Sequence, residues 1–304
     1  VNGEGSPALR AWHEAGRRMV VDGYAQFVVE DGPAQAPALL LLHGFPTAGF
    51  DWNAIWDGLV PHFRCIAPDL LGFGFSDKPR RHTYSIVDQA RRIEALLAQL
   101  ALSRVHVLAH DLGDSVAQEL LARDVARRVG DEAGPCIESV CFLNGGLFPE
   151  AHRPRPIQRL LAGPLGPLLA RHLDARRFAR SFAAVFGPHS APSAELLADC
   201  WTLVAREDGH LLAPRLLGYL AERRVHRERW LDALRRSPAP LRLVDGLADP
   251  VSGISLVARY RELIPRADVV ELPEVGHYPQ LEAPREVLAA AHAFWRHLGV
   301  IGAV

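Results

Sequence analysis

The pattern of apolar and polar positions divides the chain into three stretches. Between residues 19 and 143, short apolar runs alternate with segments whose apolar residues recur at helical spacing. Between 147 and 236 only the helical spacing remains, broken by Pro154, Pro156, Pro164, Pro167, Pro188, Pro192 and Pro214. After residue 241 the alternation returns. Residues 19–21 and 24–30, separated by Asp22-Gly23, carry the turn chemistry of a β-hairpin. Ala38–Leu42 is a continuous apolar run, as expected of a strand buried on both faces of a mostly parallel sheet. Further strands are predicted over 63–68, 105–110, 137–143, 241–244 and 268–272, and helices over 84–100, 112–127, 251–263 and 284–297. Residues 1–17 are polar and mixed, and predict a loose arm or a short helix.

Strand and helix alternating in this way predict the α/β class: a doubly wound, mostly parallel twisted sheet flanked by helices. Residues 1–146 and 237–304 would form the core domain, and 147–236 an inserted helical lid over the carboxyl edge of the sheet. A chain of 304 residues, 49% hydrophobic and 23% charged, is long enough for one such domain with an insertion. Its net charge of −1 offers no footprint for nucleic acid or an anionic membrane surface, so the expected partners are a small-molecule substrate and water. The arginines scattered through the lid read most simply as a solvated face, or as a recognition site for a substrate carboxylate if several converge at the cavity mouth. Cys65, Cys136, Cys141 and Cys200 lack metal-site spacing and read as apolar thiols in a reducing compartment. No apolar stretch approaches the ~20 residues of a membrane span, and the first residues lack a signal-peptide pattern. A cytoplasmic monomer or homodimer, without metal or organic cofactor, is the expectation.

The candidate chemistry centres on Val107-Leu108-Ala109-His110-Asp111-Leu112-Gly113-Asp114, where a strand stops at a carboxylate and a helix begins at once. Ala109 and Gly113 flank Asp111 at two residues on either side, and a sharp strand-to-helix turn needs small residues there. An N-cap role would account for Asp111 alone; a nucleophile at an exposed tip accounts for its neighbours as well. Asp249 and His277 follow the predicted strands 241–244 and 268–272, which gives the chain order nucleophile, acid, base.

Together, Gly44 in His43-Gly44-Phe45-Pro46, the elbow Ala109-His110-Asp111-Leu112-Gly113, Asp249, and Gly276-His277-Tyr278-Pro279-Gln280-Leu281-Glu282 resemble the epoxide hydrolase and haloalkane dehalogenase branch of the α/β-hydrolases. Within it, His110 to Leu120 and Leu143 to Glu150 are most similar to the mesoderm-specific transcript family. The resemblance implies an α/β-hydrolase fold with a cap, and a covalent mechanism: Asp111 attacks carbon, and water activated by His277, which Asp249 orients, hydrolyses the ester. The backbone N–H groups of Phe45 and Leu112 are the implied oxyanion donors. Dehalogenases of this branch hold the halide with a side-chain donor after the nucleophile, whereas Leu112 and Phe45 carry none; Trp52, Trp56 or Trp201 would have to substitute. Epoxide hydrolases open the ring with two lid tyrosines, or a His and a Tyr. Tyr219 and His189 resemble the second pair, so the expected activity is conversion of a small or medium apolar epoxide to a vicinal diol. A haloalkane dehalogenase or a ligand-sensing protein of the same fold is the alternative.

Overall fold

Two residues with positive φ, Asp22 at 46° and Gly23 at 80°, turn β1 (Gly16–Val21) back on β2 (Tyr24–Asp31), as a two-residue hairpin turn requires. They open the sheet in the computed structural model of the chain, which describes residues 5–302. The remaining strands are β3 (Ala38–Leu42), β4 (Arg64–Pro68), β5 (Arg104–Asp111), β6 (Cys136–Gly145), β7 (Leu241–Gly246) and β8 (Asp268–Leu272). All eight form one sheet in the order β1-β2-β4-β3-β5-β6-β7-β8. Pairing is antiparallel from β1 to β4 and parallel across the rest.

The apolar run of β3 explains its place in the middle. Leu40 and Leu42 join one buried layer, with Val107, Ala109 and Val116; Leu39 and Leu41 join the opposite layer, with Leu108, Cys141 and Val244. Every leucine of β3 is fully buried, and each contributes roughly 1.5–3 kcal/mol. Ser85 caps the helix Ile86–Gln99 by accepting from Asp88 N at 3.0 Å. The closing helix Pro284–His297 lies where its spacing predicts. Of the loose arm or short helix expected over residues 1–17, the short helix is what forms: Ser6 caps it at Pro7–Ala15, and Leu9 and Trp12 pack it on the sheet layer; residues 1–4 of that region lie outside the described residues. The four cysteines are unpaired, and Cys136 is only half-buried. No helix among the described residues is long and apolar enough to cross a membrane.

Two features of this topology place the site. The chain leaves β3 towards β4 on one side and β5 towards β6 on the other, so a crevice opens between the carboxyl ends of β3 and β5. The loop of Phe45 and the Asp111 turn meet there. Between β6 and β7 the chain adds short helices and no strand, and one of them, Tyr219–Val225, brings Tyr219 to Phe45 and Arg223 to Asp111.

Candidate active site

Asp111 is the last residue of β5 and sits at φ 46°, ψ −103°, a conformation strained for any residue with a side chain. The turn is this tight because the helix Leu112–Gly130 starts against β3: a Cβ at Gly113 would lie 2.1 Å from the Leu42 carbonyl oxygen. Although Asp111 stands at the N-cap position, its side chain caps nothing. Its Oδ2 instead accepts a hydrogen bond from Phe45 N at 3.1 Å. Leu112 is the first residue of the helix, so its N–H has no intrahelical acceptor.

The loop that carries Phe45 is braced from three sides. His43 Nε2 accepts from Leu70 N at 3.0 Å, which leaves Nδ1–H to donate to the Gly44 carbonyl at 2.8 Å. Tyr278 Oη donates to the Phe45 carbonyl at 3.1 Å, and Asp69 accepts from Gly49 N at 2.7 Å. The space for this approach exists because residue 44 is glycine; a Cβ there would lie 2.8 Å from both Asp111 Cβ and His110 Nδ1.

Asp249 and His277 come together after β7 and β8. His277 Nδ1 donates to Asp249 Oδ2 at 2.7 Å. Asp249 also accepts from Ser252 Oγ at 2.6 Å, Val251 N at 2.7 Å and Asn144 Nδ2 at 3.1 Å. Burial raises its pKa, but the His277 charge and these donors outweigh it and hold the carboxyl well below its ordinary range. For His277, burial disfavours the imidazolium, and Asp249 and the Asp111 charge more than compensate, so its pKa rises above 6.5. The His277 loop is fixed by Glu282, which accepts from Gly276 N at 2.8 Å and Tyr278 N at 2.9 Å. His110 Nε2 donates to the His277 carbonyl at 2.7 Å; burial drives its pKa down to about 3, so it is a neutral strut.

The lid contributes a cation that the sequence reading assigned to solvent. Arg223, on the helix Tyr219–Val225, is 1% exposed. Its Nε donates to Ser115 Oγ at 2.7 Å and its Nη2 to the Asp111 carbonyl at 2.9 Å, with Asp111 Oδ1 at 3.3 Å. Its Nη1 has no partner among the described residues. Gly146 makes the room, since a Cβ there would lie 2.0 Å from Nη1. Burial would raise the pKa of Asp111, but Arg223, then His277, His110 and His152, bring it below 3.8, so the buried carboxylate stays ionised.

Tyr219 lies beneath the guanidinium, its ring centroid 4.5 Å from Arg223 Cζ and 6.0 Å from the ring of Phe45. Its hydroxyl is buried without a partner among the described residues, and burial, reinforced by the Asp111 charge, pushes its pKa up, so it remains a neutral donor. His152 is likewise buried, with neither ring nitrogen partnered among the described residues; burial and the Arg223 charge lower its pKa to about 3, against the pull of Asp111 and Asp249.

Of the expected residues, Asp111, Phe45, Leu112, Asp249, His277 and Tyr219 therefore converge. His189 does not: its side chain is 74% exposed, and Nε2 faces Glu274 at 3.8 Å. The loop Gly187-Pro188-His189 is tied to the residue that fixes the His277 loop, with Gly187 N donating to Glu282 at 2.7 Å. Of the three tryptophans, Trp56 packs against Trp12 at 4.9 Å and Trp201 against Phe178 at 5.6 Å, both in apolar clusters. Trp52 is fully buried in the same layer as Trp12. Arg223, His152, His110 and Asn144 were missed. The visible trace of Arg223 is the pair Gly145-Gly146, whose missing side chains clear its path.

A mostly parallel sheet with a strained acid turn at its switch point, an Asp–His pair at the next strand ends and a helical insertion define a hydrolase of the α/β type. The chain belongs to the alpha/beta hydrolase family, whose model matches residues 39–291. It is 43% identical over 298 residues to the mesoderm-specific transcript homolog protein of Bos taurus, covering 95% of this chain and 88% of that one. Among solved structures, a loop variant of the haloalkane dehalogenase DbeA from Bradyrhizobium elkanii superposes with a TM-score of 0.74 at 22% identity, covering 93% of this chain and 97% of that one. The epoxide hydrolase CorEH superposes with a TM-score of 0.75 at 20% identity, covering 93% and 99%. Likeness at that level of identity speaks to the fold.

Proposed function

We propose that the protein hydrolyses an epoxide to a vicinal diol through an alkyl ester on Asp111. The observation that carries this reading is the division of labour around one carboxylate. Oδ2 accepts from the Phe45 amide and Oδ1 lies 3.3 Å from the Arg223 guanidinium, while the Tyr219 hydroxyl and the His152 imidazole are buried nearby without partners among the described residues. An epoxide oxygen leaves as an alkoxide still tethered to the ester, and an apolar pocket without such donors could not hold it.

In the first step Oδ1 attacks a ring carbon, the C–O bond breaks, and the alkoxide takes the Tyr219 proton while Arg223 balances the charge. In the second, His277 removes a proton from water, and the hydroxide attacks Cγ of the ester. The resulting oxyanion is held by the N–H groups of Phe45 and Leu112. Collapse expels the diol oxygen, which takes the proton from His277, and the regenerated Asp111 carboxyl returns its own proton to the Tyr219 phenolate. One epoxide and one water give one diol. Asp249 keeps His277 in the tautomer whose Nε2 accepts the proton.

The test is a His277→Gln variant exposed to styrene oxide and read by mass spectrometry. Alkylation survives in that variant and hydrolysis does not, so a stoichiometric adduct on Asp111 is expected. If Asp111 stays unmodified by a panel of epoxides, this function is wrong. Halide release from bromoalkanes by the unaltered protein, without diol from any epoxide, would reassign it to dehalogenation by the same donors.

A further inference from the structure

We propose that the outer face of the lid is a docking surface for an anionic lipid bilayer, from which the protein takes a membrane-dissolved substrate. Three of the seven large apolar side chains most exposed in the molecule lie within nine residues: Leu160 at 56%, Leu165 at 65% and Leu168 at 55%. The other four, Val20, Val129, Val225 and Ile254, are scattered. The three leucines belong to consecutive short turns, Pro156–Ala162 and Gly166–Ala170, that pack on each other, and exposed Pro164 and Pro167 stand between and beside them. Scattered apolar residues need no explanation, but a cluster of this kind on a surface marks a contact.

The charge around the cluster says what the contact is. From Arg153 to Arg180 the chain has seven arginines and one carboxylate, Asp174. Arg177 pairs with Asp174 at 3.3 Å, whereas Arg153, Arg155, Arg159, Arg171, Arg176 and Arg180 have no carboxylate partner among the described residues. In the core, by contrast, arginines such as Arg92, Arg127 and Arg242 are matched by Asp88, Glu94 and Asp268. A net charge of −1 for the whole chain conceals this separation. Arg155 and Arg171 stand at the caps of the two leucine-bearing turns and Arg159 lies within the first, so the apolar side chains share their elements with unpaired guanidinium groups. Such a combination suits lipid phosphates above and acyl chains below, with arginine stems bridging the two. A second copy of the chain would bring the same positive charges against themselves.

The inner side of these turns connects the surface to the site. Leu161 and Ala170 point inward and are buried, and Gly166 approaches Pro214, at 3.2 Å from its own Cβ position. The segment Arg206–Leu212 and the helix Ala213–Leu216 lie beneath, and with Phe45 and Phe73 they line a narrow apolar cleft through His210, Ala213 and Leu216. An apolar molecule leaving the bilayer at the leucine cluster thus meets the lid segment that walls the way to Phe45 and Asp111.

The test is sedimentation of the full chain with phosphatidylcholine vesicles, with and without about 30% phosphatidylglycerol. Binding is expected only with the anionic lipid, and should fall about tenfold or more between about 0.05 and 0.5 M salt. The combined variant Leu160→Ser, Leu165→Ser, Leu168→Ser, and separately the combined variant Arg159→Gln, Arg171→Gln, should each lose about tenfold in binding. Both should keep the circular dichroism spectrum and the reactivity of Asp111 toward a water-soluble electrophile. The proposal is overturned if anionic vesicles leave the protein in the supernatant, if the leucine variant binds as well as the parent, or if neutral vesicles bind equally. A parent dimer that the leucine substitutions split, with no vesicle binding, would assign the face to self-association instead. None of these outcomes depends on what Asp111 hydrolyses.

Discussion

The proton on His277 sets the response to pH at the scale of single residues. Three carboxylates, Asp249, Asp111 and Glu282, hold its pKa above 6.5 against burial, and one of them, Asp111, loses its charge when the ester forms. The base should therefore become easier to deprotonate just when it is needed. Expected is a single-turnover decay of the ester that rises with pH, with a midpoint lower than the one His277 shows by NMR titration in the unreacted protein. Equal midpoints would mean that Asp111 does not act on His277. Alkylation needs an ionised Asp111, whose pKa lies below 3.8, and a protonated Tyr219, whose pKa is raised above 10, and should stay level across this range.

Among the elements, the junction of β5 with the helix Leu112–Gly130 tolerates least. A methyl at Gly113 meets backbone, the Leu42 carbonyl at 2.1 Å, and no rotamer can relieve it. Gly113→Ala is expected to destabilise by about 3 kcal/mol or more, measured by urea unfolding, and to abolish Asp111 alkylation even where the chain still folds. This junction was legible in the sequence because its requirement is local: small residues on both sides of an acid at the end of an apolar run. The strands were legible for a related reason, since β3 buries alternate leucines in both layers and so cannot tolerate a polar position. Asp249 and His277 could be read from their places after β7 and β8. The lid could not. Its helices are short, interrupted by proline and rich in arginine, and nothing in Glu222-Arg223-Arg224 distinguishes the buried Arg223 from the exposed Arg224. Burial there is decided by Ser115 and the Asp111 carbonyl, more than 100 residues away. The same limit misplaced the histidine: His189 has the suggestive local setting, and His152 has the enclosed one.

Over the whole molecule, stability and function draw on the same interior. Asp114 and Asp245 are buried with neither carboxyl oxygen partnered among the described residues. Burial, then neighbouring carboxylates, raises both well above 3.8: Asp111 acts on Asp114, and Asp249 and Asp114 act on Asp245. Between 3.8 and those raised values the native state binds protons that the unfolded chain has released, so these two groups lower stability progressively as pH rises. Asp245→Asn removes one of them without changing shape. Its melting temperature should match the parent near pH 4 and exceed it by about 1–3 °C at pH 8; an advantage that is constant with pH would place the cause elsewhere. The opening left by Gly146 has a further consequence. Because the guanidinium of Arg223 fills the volume that any side chain at 146 would occupy, the two positions are not free to drift separately. A lineage that enlarged one would have to surrender the other, and with it the positive charge over the nucleophile.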